Sequence, residues 1–179
     1  MIIFMGVAGS GKSVQGRRLA DEMGLPWLST GEFLRMLISG EHRKAMINGK
    51  LLSDSEIIEL VKKIFALIDT KQEFILDGFP RSLTQADWLL NEVKHDQLKI
   101  SVVIHLFASK KTVSQRLLAR GRPDDHEVAI QERFNEYEQA IKPILDDFRK
   151  AGVTVCDIDG DRDIDEVHEA IIQATSAAL

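Results

Sequence analysis

Ile2-Ile3-Phe4-Met5-Gly6-Val7-Ala8-Gly9-Ser10-Gly11-Lys12-Ser13 stands at the head of a 179-residue chain, and its two halves obey different physical rules. Four continuously apolar residues suit a strand buried on both faces of a parallel sheet. The eight that follow fit G-x-x-x-x-G-K-[ST]. Glycines in that pattern let backbone N–H groups turn inward around an anion. The start of the next helix adds partial positive charge, and the lysine reaches the outer phosphates of a polyphosphate. Ser13 supplies a hydroxyl suited to Mg²⁺. A glycine-rich turn with an exposed lysine is the plainer alternative, but the pattern sits between a strand and a helix, as phosphate binding requires.

Working outward, similar apolar runs recur at Leu25 to Leu28, Phe74 to Leu76, Val102 to Phe107 and Val153 to Cys156. With Ile2 to Met5 they make five strands for one sheet. Helical patterns lie between them, near Lys12 to Met23, Gly31 to Leu37, Asp54 to Ile68, Leu83 to Val93, Lys110 to Arg120, His126 to Lys150 and Ile164 to Ala177. Strands alternating with helices predict an α/β fold with a parallel sheet. In the longest helical stretch Ile130, Phe134, Tyr137, Ile141, Leu145 and Phe148 recur every three or four residues and mark one core-facing stripe. Arg133 lies on the flank of that stripe and needs an anionic partner. Two polar segments, Ser39 to Gly49 and Gly121 to Asp125, interrupt the pattern and are candidate lids.

Hydrophobic residues make up 44% of the chain, enough for one substantial core and one domain. A net charge of −5 argues against a broad basic surface for nucleic acid, so any bound phosphate is held locally. Cys156 is the single cysteine, which excludes an internal disulfide or a cysteine-built zinc site and suits a reducing, cytoplasmic setting. Met1 to Met5 is too short for a secretion signal, and no run approaches the roughly 20 apolar residues of a membrane span. His42, His95, His105, His126 and His168 lack metal-binding spacing and read as structural or solvent-facing. Trp27, Trp88 and Cys156 read as core.

Three further clusters surround the phosphate cradle. Asp77-Gly78-Phe79-Pro80-Arg81 follows the third strand, where open parallel sheets bind ligands; Asp77 suits Mg²⁺ and its water, and the Arg81 fork suits a phosphate. Alone, the segment also fits a β-turn with an exposed arginine. Ser29-Thr30-Gly31-Glu32-Phe33-Leu34-Arg35 opens a helix with Ser29 or Thr30 as N-cap, and a plain capped helix explains it almost as well. Arg116, Arg120 and Arg122 gather at a helix end, where they either complement the dipole or surround a transferring phosphoryl group; Asp124 or Asp125 can cap the next helix.

Taken in order, these residues resemble the adenylate kinase branch of the nucleoside monophosphate kinases from Ile3 to about Val167. The matching stretches are the cradle, Ser29 to Arg35, Gly49-Lys50-Leu51-Leu52, Asp77 to Arg81 with Gln85, Arg120-Gly121-Arg122-Pro123-Asp124-Asp125, Arg133 and Asp159-Gly160. The resemblance implies a three-layer α/β/α P-loop kinase with sheet order 2-3-1-4-5. It also implies a helical arm over residues 30–59, a lid near 120–126 and the reaction MgATP + AMP ⇌ 2 ADP. ATP would lie on Gly9, Ser10, Gly11, Lys12, Ser13, Val14, Arg116, Arg120 and Gly160. AMP would lie on Thr30, Arg35, Lys50, Leu51, Leu52, Gly78, Phe79, Pro80, Arg81 and Gln85. Arg122 and Arg133 would grip phosphates on both sides, Lys12, Arg81, Arg122 and Arg133 would carry catalysis, and Asp124 and Asp125 would orient the lid arginines. Ser13 and Asp77 would serve Mg²⁺, and the short lid leaves no room for a zinc-binding insertion. A monomer with small-molecule substrates is expected.

Thr30 and Gln85 match adenylate kinases, whereas UMP/CMP kinases typically carry Ala and Asn there, and a glutamine amide donates and accepts at once as an adenine edge demands. The chain departs from the family in reading Lys12-Ser13-Val14 where Lys-Gly-Thr is usual, and in Glu32 for aspartate. A UMP/CMP kinase or other small-metabolite kinase is the nearest alternative. A GTP-dependent switch fits less well: Asp157-Ile158-Asp159-Gly160 matches D-x-x-G but comes too late, and Thr70-Lys71-Gln72-Glu73 lacks the aspartate that reads guanine.

Overall fold

The computed structural model describes residues 1–37, 52–121 and 125–179. Strands β1 (Ile2–Met5), β2 (Trp27–Ser29), β3 (Ile75–Asp77), β4 (Val102–Phe107) and β5 (Val155–Asp159) form one sheet in the order β2-β3-β1-β4-β5. Every pairing is parallel, with Phe4 in register with both Asp77 and Ile104. The predicted α/β class and strand order are those observed.

Burial of both sheet faces explains the unbroken apolar strands. Ile2 and Phe4 pack with Leu19 and Ala20 of α1 (Lys12–Met23) and Val167 and Ile171 of α8 (Ile164–Ala178). Ile3 and Met5 point the other way, alternating as strand geometry requires. They meet Val61 and Ile64 of α3 (Asp54–Phe65), Leu89 of α4 (Leu83–Lys94), and Ile144 and Phe148 of α7 (Lys142–Lys150). A smaller cluster of Val7, Val113, Leu117 and Ile130 joins α5 (Lys110–Arg120) to α6 (Glu127–Glu136). Helix starts follow local capping chemistry: Ser53 and Glu56 form a capping box on α3, and Ser82 and Ser109 cap α4 and α5.

Several boundaries differ from the sequence expectation. β2, β3 and β5 lie one to three residues later than the apolar runs, because ladder pairing continues into Ser29, Asp77, Asp157 and Asp159. The stretch expected as one helix over 126–150 is three pieces, with a π-helical turn at Tyr137–Ile141 between α6 and α7. Pro143 explains the break, since it lacks an N–H and its ring crowds the carbonyl four residues back, which widens the turn before it. Trp27, Trp88 and Cys156, expected in the core, are each half-buried. Trp27 and Cys156 belong to the two edge strands, and Trp88 sits on an outer flank of α4, edge-on to Phe79 at 5.8 Å. Among the described residues no helix is long and apolar enough to cross a membrane.

Candidate active site

The strands' C-terminal ends carry the loops that enclose a cleft of about 430 Å³. Two close approaches fix its floor. A Cβ on Gly6, where φ is +138°, would fall 2.1 Å from the Leu106 carbonyl oxygen, so the loop leaves β1 against β4 only with glycine. Gly160 donates its N–H to the Phe107 carbonyl at 2.7 Å, and a Cβ there would meet the Ser10 carbonyl at 3.0 Å. The turn over residues 6–13 is thereby wedged between β4 and the end of β5.

Within the turn, Lys12 Nζ donates to the Val7 carbonyl at 2.8 Å. Burial is the main reason that its pKa falls to about 8; Asp77 opposes that shift, while Arg81, Arg120 and Arg133 add to it. The ammonium is held among cations, a placement that an incoming polyphosphate relieves. Ser13 Oγ donates to Asp77 Oδ2 at 2.6 Å, joining the start of α1 to the end of β3. Ser10 Oγ is buried with no hydrogen-bond partner among the described residues, an orphaned hydroxyl inside an anion cradle. Among the described residues no group of three or more His, Cys, Asp or Glu is arranged to hold a metal.

Guanidinium groups rim the cleft. Arg116 spans it, donating to the Ser10 carbonyl at 3.1 Å and the Gly160 carbonyl at 2.9 Å. Arg120 makes a bidentate pair with Asp125 at 2.8 and 2.6 Å, and Arg133 donates to the same carboxylate at 2.9 Å. The Asp125 side chain is fully buried, so it supplies the anionic partner that Arg133 needs and draws α5 and α6 together. Opposite them, Arg81 donates through Nε to the Gly78 carbonyl at 2.8 Å, and Arg35 of α2 (Thr30–Leu37) pairs with Glu32 at 3.0 Å. Glu32 also reaches Arg17 of α1 at 3.1 Å.

A family model described as adenylate kinase matches residues 4–153. The chain belongs to the adenylate kinase family. An adenylate kinase of Pseudarthrobacter chlorophenolicus is 32% identical, with 99% of this chain and 97% of the relative covered. One from Prochlorococcus marinus is 33% identical, covering 98% of each chain, and one from Archaeoglobus fulgidus is 31% identical, covering 95% of each. Members of this family are nucleoside monophosphate kinases, so the cleft is that of a phosphotransferase.

Against the adenylate kinase pattern, Gly9, Ser10, Gly11, Lys12, Ser13, Val14, Arg35, Asp77, Arg81, Arg116, Arg120, Arg133 and Gly160 all line the cleft. Thr30, Gly78 and Gln85 stand just behind it: Thr30 Oγ1 donates to the Gly78 carbonyl at 2.8 Å, and Gln85 accepts from the Arg81 N–H at 2.9 Å. Phe79 and Pro80 are buried, Phe79 in the core, which leaves the Phe79 backbone and not its ring for any ligand. Leu52 is half-buried just before α3. Lys50, Leu51, Arg122 and Asp124, with His42, the Ser39 to Gly49 segment and the middle of the 120–126 lid, lie outside the described residues. Of the described histidines, His105 is hydrogen-bonded to Asp157 at 2.6 Å and Tyr137 at 2.8 Å, and His168 to Gln15 at 3.0 Å and Glu22 at 2.8 Å.

Among the cleft residues that escaped sequence reasoning are Gln15, Arg162 and Ile164. Gln15 is buried on α1 and donates to the Ile164 carbonyl at 2.8 Å, while Arg162 and Ile164 bring the far end of the chain to the cleft. Arg162 carried a signal: it follows Asp159-Gly160 at a strand's C-terminal end. Gln15 carried none.

Proposed function

We propose that the protein is an ATP:AMP phosphotransferase catalysing MgATP + AMP ⇌ 2 ADP. The observation that carries this is the facing of two phosphate-binding devices across one cleft, the 6–13 turn with Lys12 on one side and Arg81 with Arg35 on the other. ATP is held by Gly9 to Val14, Arg120 and Gly160, with Arg116 nearby. AMP is held by Thr30, Arg35, Lys50 to Leu52, Gly78 to Arg81 and Gln85. Its phosphate oxygen is already an anionic nucleophile, so no side chain has to remove a proton. Lys12, Arg81, Arg122 and Arg133 offset charge on the transferring group and hold donor and acceptor in line. Asp124 and Asp125 orient the lid arginines.

Hard oxygens at Ser13 and Asp77, 2.6 Å apart, are a donor set that suits Mg²⁺. When bound there, the ion neutralises charge on the β- and γ-phosphates. The chain works as one domain, monomeric and cytoplasmic, in which an arm over 30–59 and a lid near 120–126 exclude water that would otherwise hydrolyse ATP. An acceptor panel with MgATP tests the assignment: ADP formation is fastest with AMP, and faster turnover with CMP or UMP overturns it.

A further inference from the structure

Gln85 is held by neighbours of fixed polarity. Its Oε1 accepts from the Arg81 backbone N–H at 2.9 Å, and its Nε2 donates to Asp54 Oδ1 at 2.7 Å. The same Asp54 oxygen accepts from Ser82 Oγ at 2.7 Å, and Ser82 Oγ in turn accepts from the Gln85 backbone N–H at 3.2 Å. Asp54 is the first residue of α3, and Gln85 lies in the first turn of α4, where it is 5% exposed. A carboxylate only accepts, and a backbone N–H only donates. Turning the amide over would set oxygen against oxygen at Asp54 and N–H against N–H at Arg81, losing both bonds in a buried place.

We infer that Asp54 is a specificity-determining positioning residue, which locks the Gln85 carboxamide in the one orientation that reads adenine. The inference rests on the assignment of AMP to the Arg81 side of the cleft. After its two internal bonds the amide keeps one N–H and one oxygen lone pair. Adenine offers an acceptor at N1 next to a donor at N6, whereas hypoxanthine offers the reverse, N1–H next to O6. A freely turning glutamine reads either edge equally well. A locked one reads adenine and leaves hypoxanthine facing like groups, which is how a hydrogen-bonding site rejects a near-isostere.

The test compares kcat/KM for AMP and IMP, which differ only at that edge. Asp54→Asn keeps the shape but adds a donor, removing the oxygen-to-oxygen penalty for a turned amide. The AMP-to-IMP ratio is expected to fall by about tenfold or more, through a higher KM for AMP and a lower one for IMP, with KM for MgATP unchanged. A folded variant whose ratio stays within about twofold of the parent overturns the lock. Should the variant fail to fold, ¹⁵N NMR of the unmodified protein decides the matter. One Gln85 Nε2 proton exchanging slowly with water supports the lock, and two exchanging freely overturn it. Preference of the unmodified protein for CMP or UMP overturns the acceptor assignment instead, and the NMR result then still judges the lock itself.

Discussion

The two rims of the cleft hold their arginines differently. On the donor side Arg116 is pinned by two backbone carbonyls, and Arg120 and Arg133 share a carboxylate with no solvent exposure. On the acceptor side Arg35 is paired with Glu32, a side chain 36% exposed, and Arg81 gives Nε to one carbonyl. Buried, shared partners fix a guanidinium at a stated place before any nucleotide arrives; exposed ones contribute little and let it go easily. On the proposed assignment the donor rim is therefore preorganised, while the acceptor rim is set to reorient around its ligand. The lesson is that equal residue types in one cleft do unequal jobs, decided by what stands behind them.

The largest expected effect falls on both rims alike. Arg81→Ala and Arg133→Ala each slow turnover by about 10³-fold, the scale of a lost transition-state arginine, with the fold retained by circular dichroism. A loss under about tenfold for both in steady-state kinetics would remove these residues from the chemistry. Next, Asp125→Ala unties Arg120 and Arg133 together, so turnover falls about 10²-fold and stability by about 2 kcal/mol, read by urea unfolding. Equal behaviour of Asp125→Ala and Glu32→Ala would erase the contrast between the rims; the Glu32 change is expected to cost at most about 0.5 kcal/mol.

A pH series sharpens the donor side. Burial is the chief cause that lowers the Lys12 pKa to about 8, so the ammonium loses its proton as pH rises through that value. Bound polyphosphate favours the charged form, and above pH 8 binding must draw in a proton. MgATP affinity is then level below neutrality and weakens toward about tenfold per pH unit above 8, a slope that calorimetry detects and Lys12→Met abolishes. A last effect lies outside the cleft. Tyr137→Phe removes the hydroxyl bonded to His105 and costs about 1 kcal/mol in thermal unfolding, with turnover unchanged.

Much of this was legible in the residues. The apolar runs named five strands because parallel strands are buried on both faces, and the glycines at 6, 9 and 11 named the cradle because the turn needs positive φ at all three, which glycine adopts without strain. Strand ends were less legible, since polar Asp77, Asp157 and Asp159 stay in the ladder where the hydrophobic signal has stopped. The π-helical turn hid in a stripe whose spacing suited an ordinary helix. Least visible were partners far apart in sequence, Gln15 with Ile164 and Asp54 with Gln85, for which no local pattern exists. Arg133 sits between these cases: its need for an anion was plain, and the fold supplied Asp125 eight residues away.

The most direct test of two phosphate sites meeting in one cleft is a crystal structure with a non-hydrolysable ATP analogue and AMP. The γ-phosphate is expected on the 6–13 turn beside Lys12, end to end with an AMP phosphate gripped by Arg81 and Arg133. An empty turn, or those guanidinium groups directed into bulk solvent with both nucleotides bound elsewhere, would contradict the account.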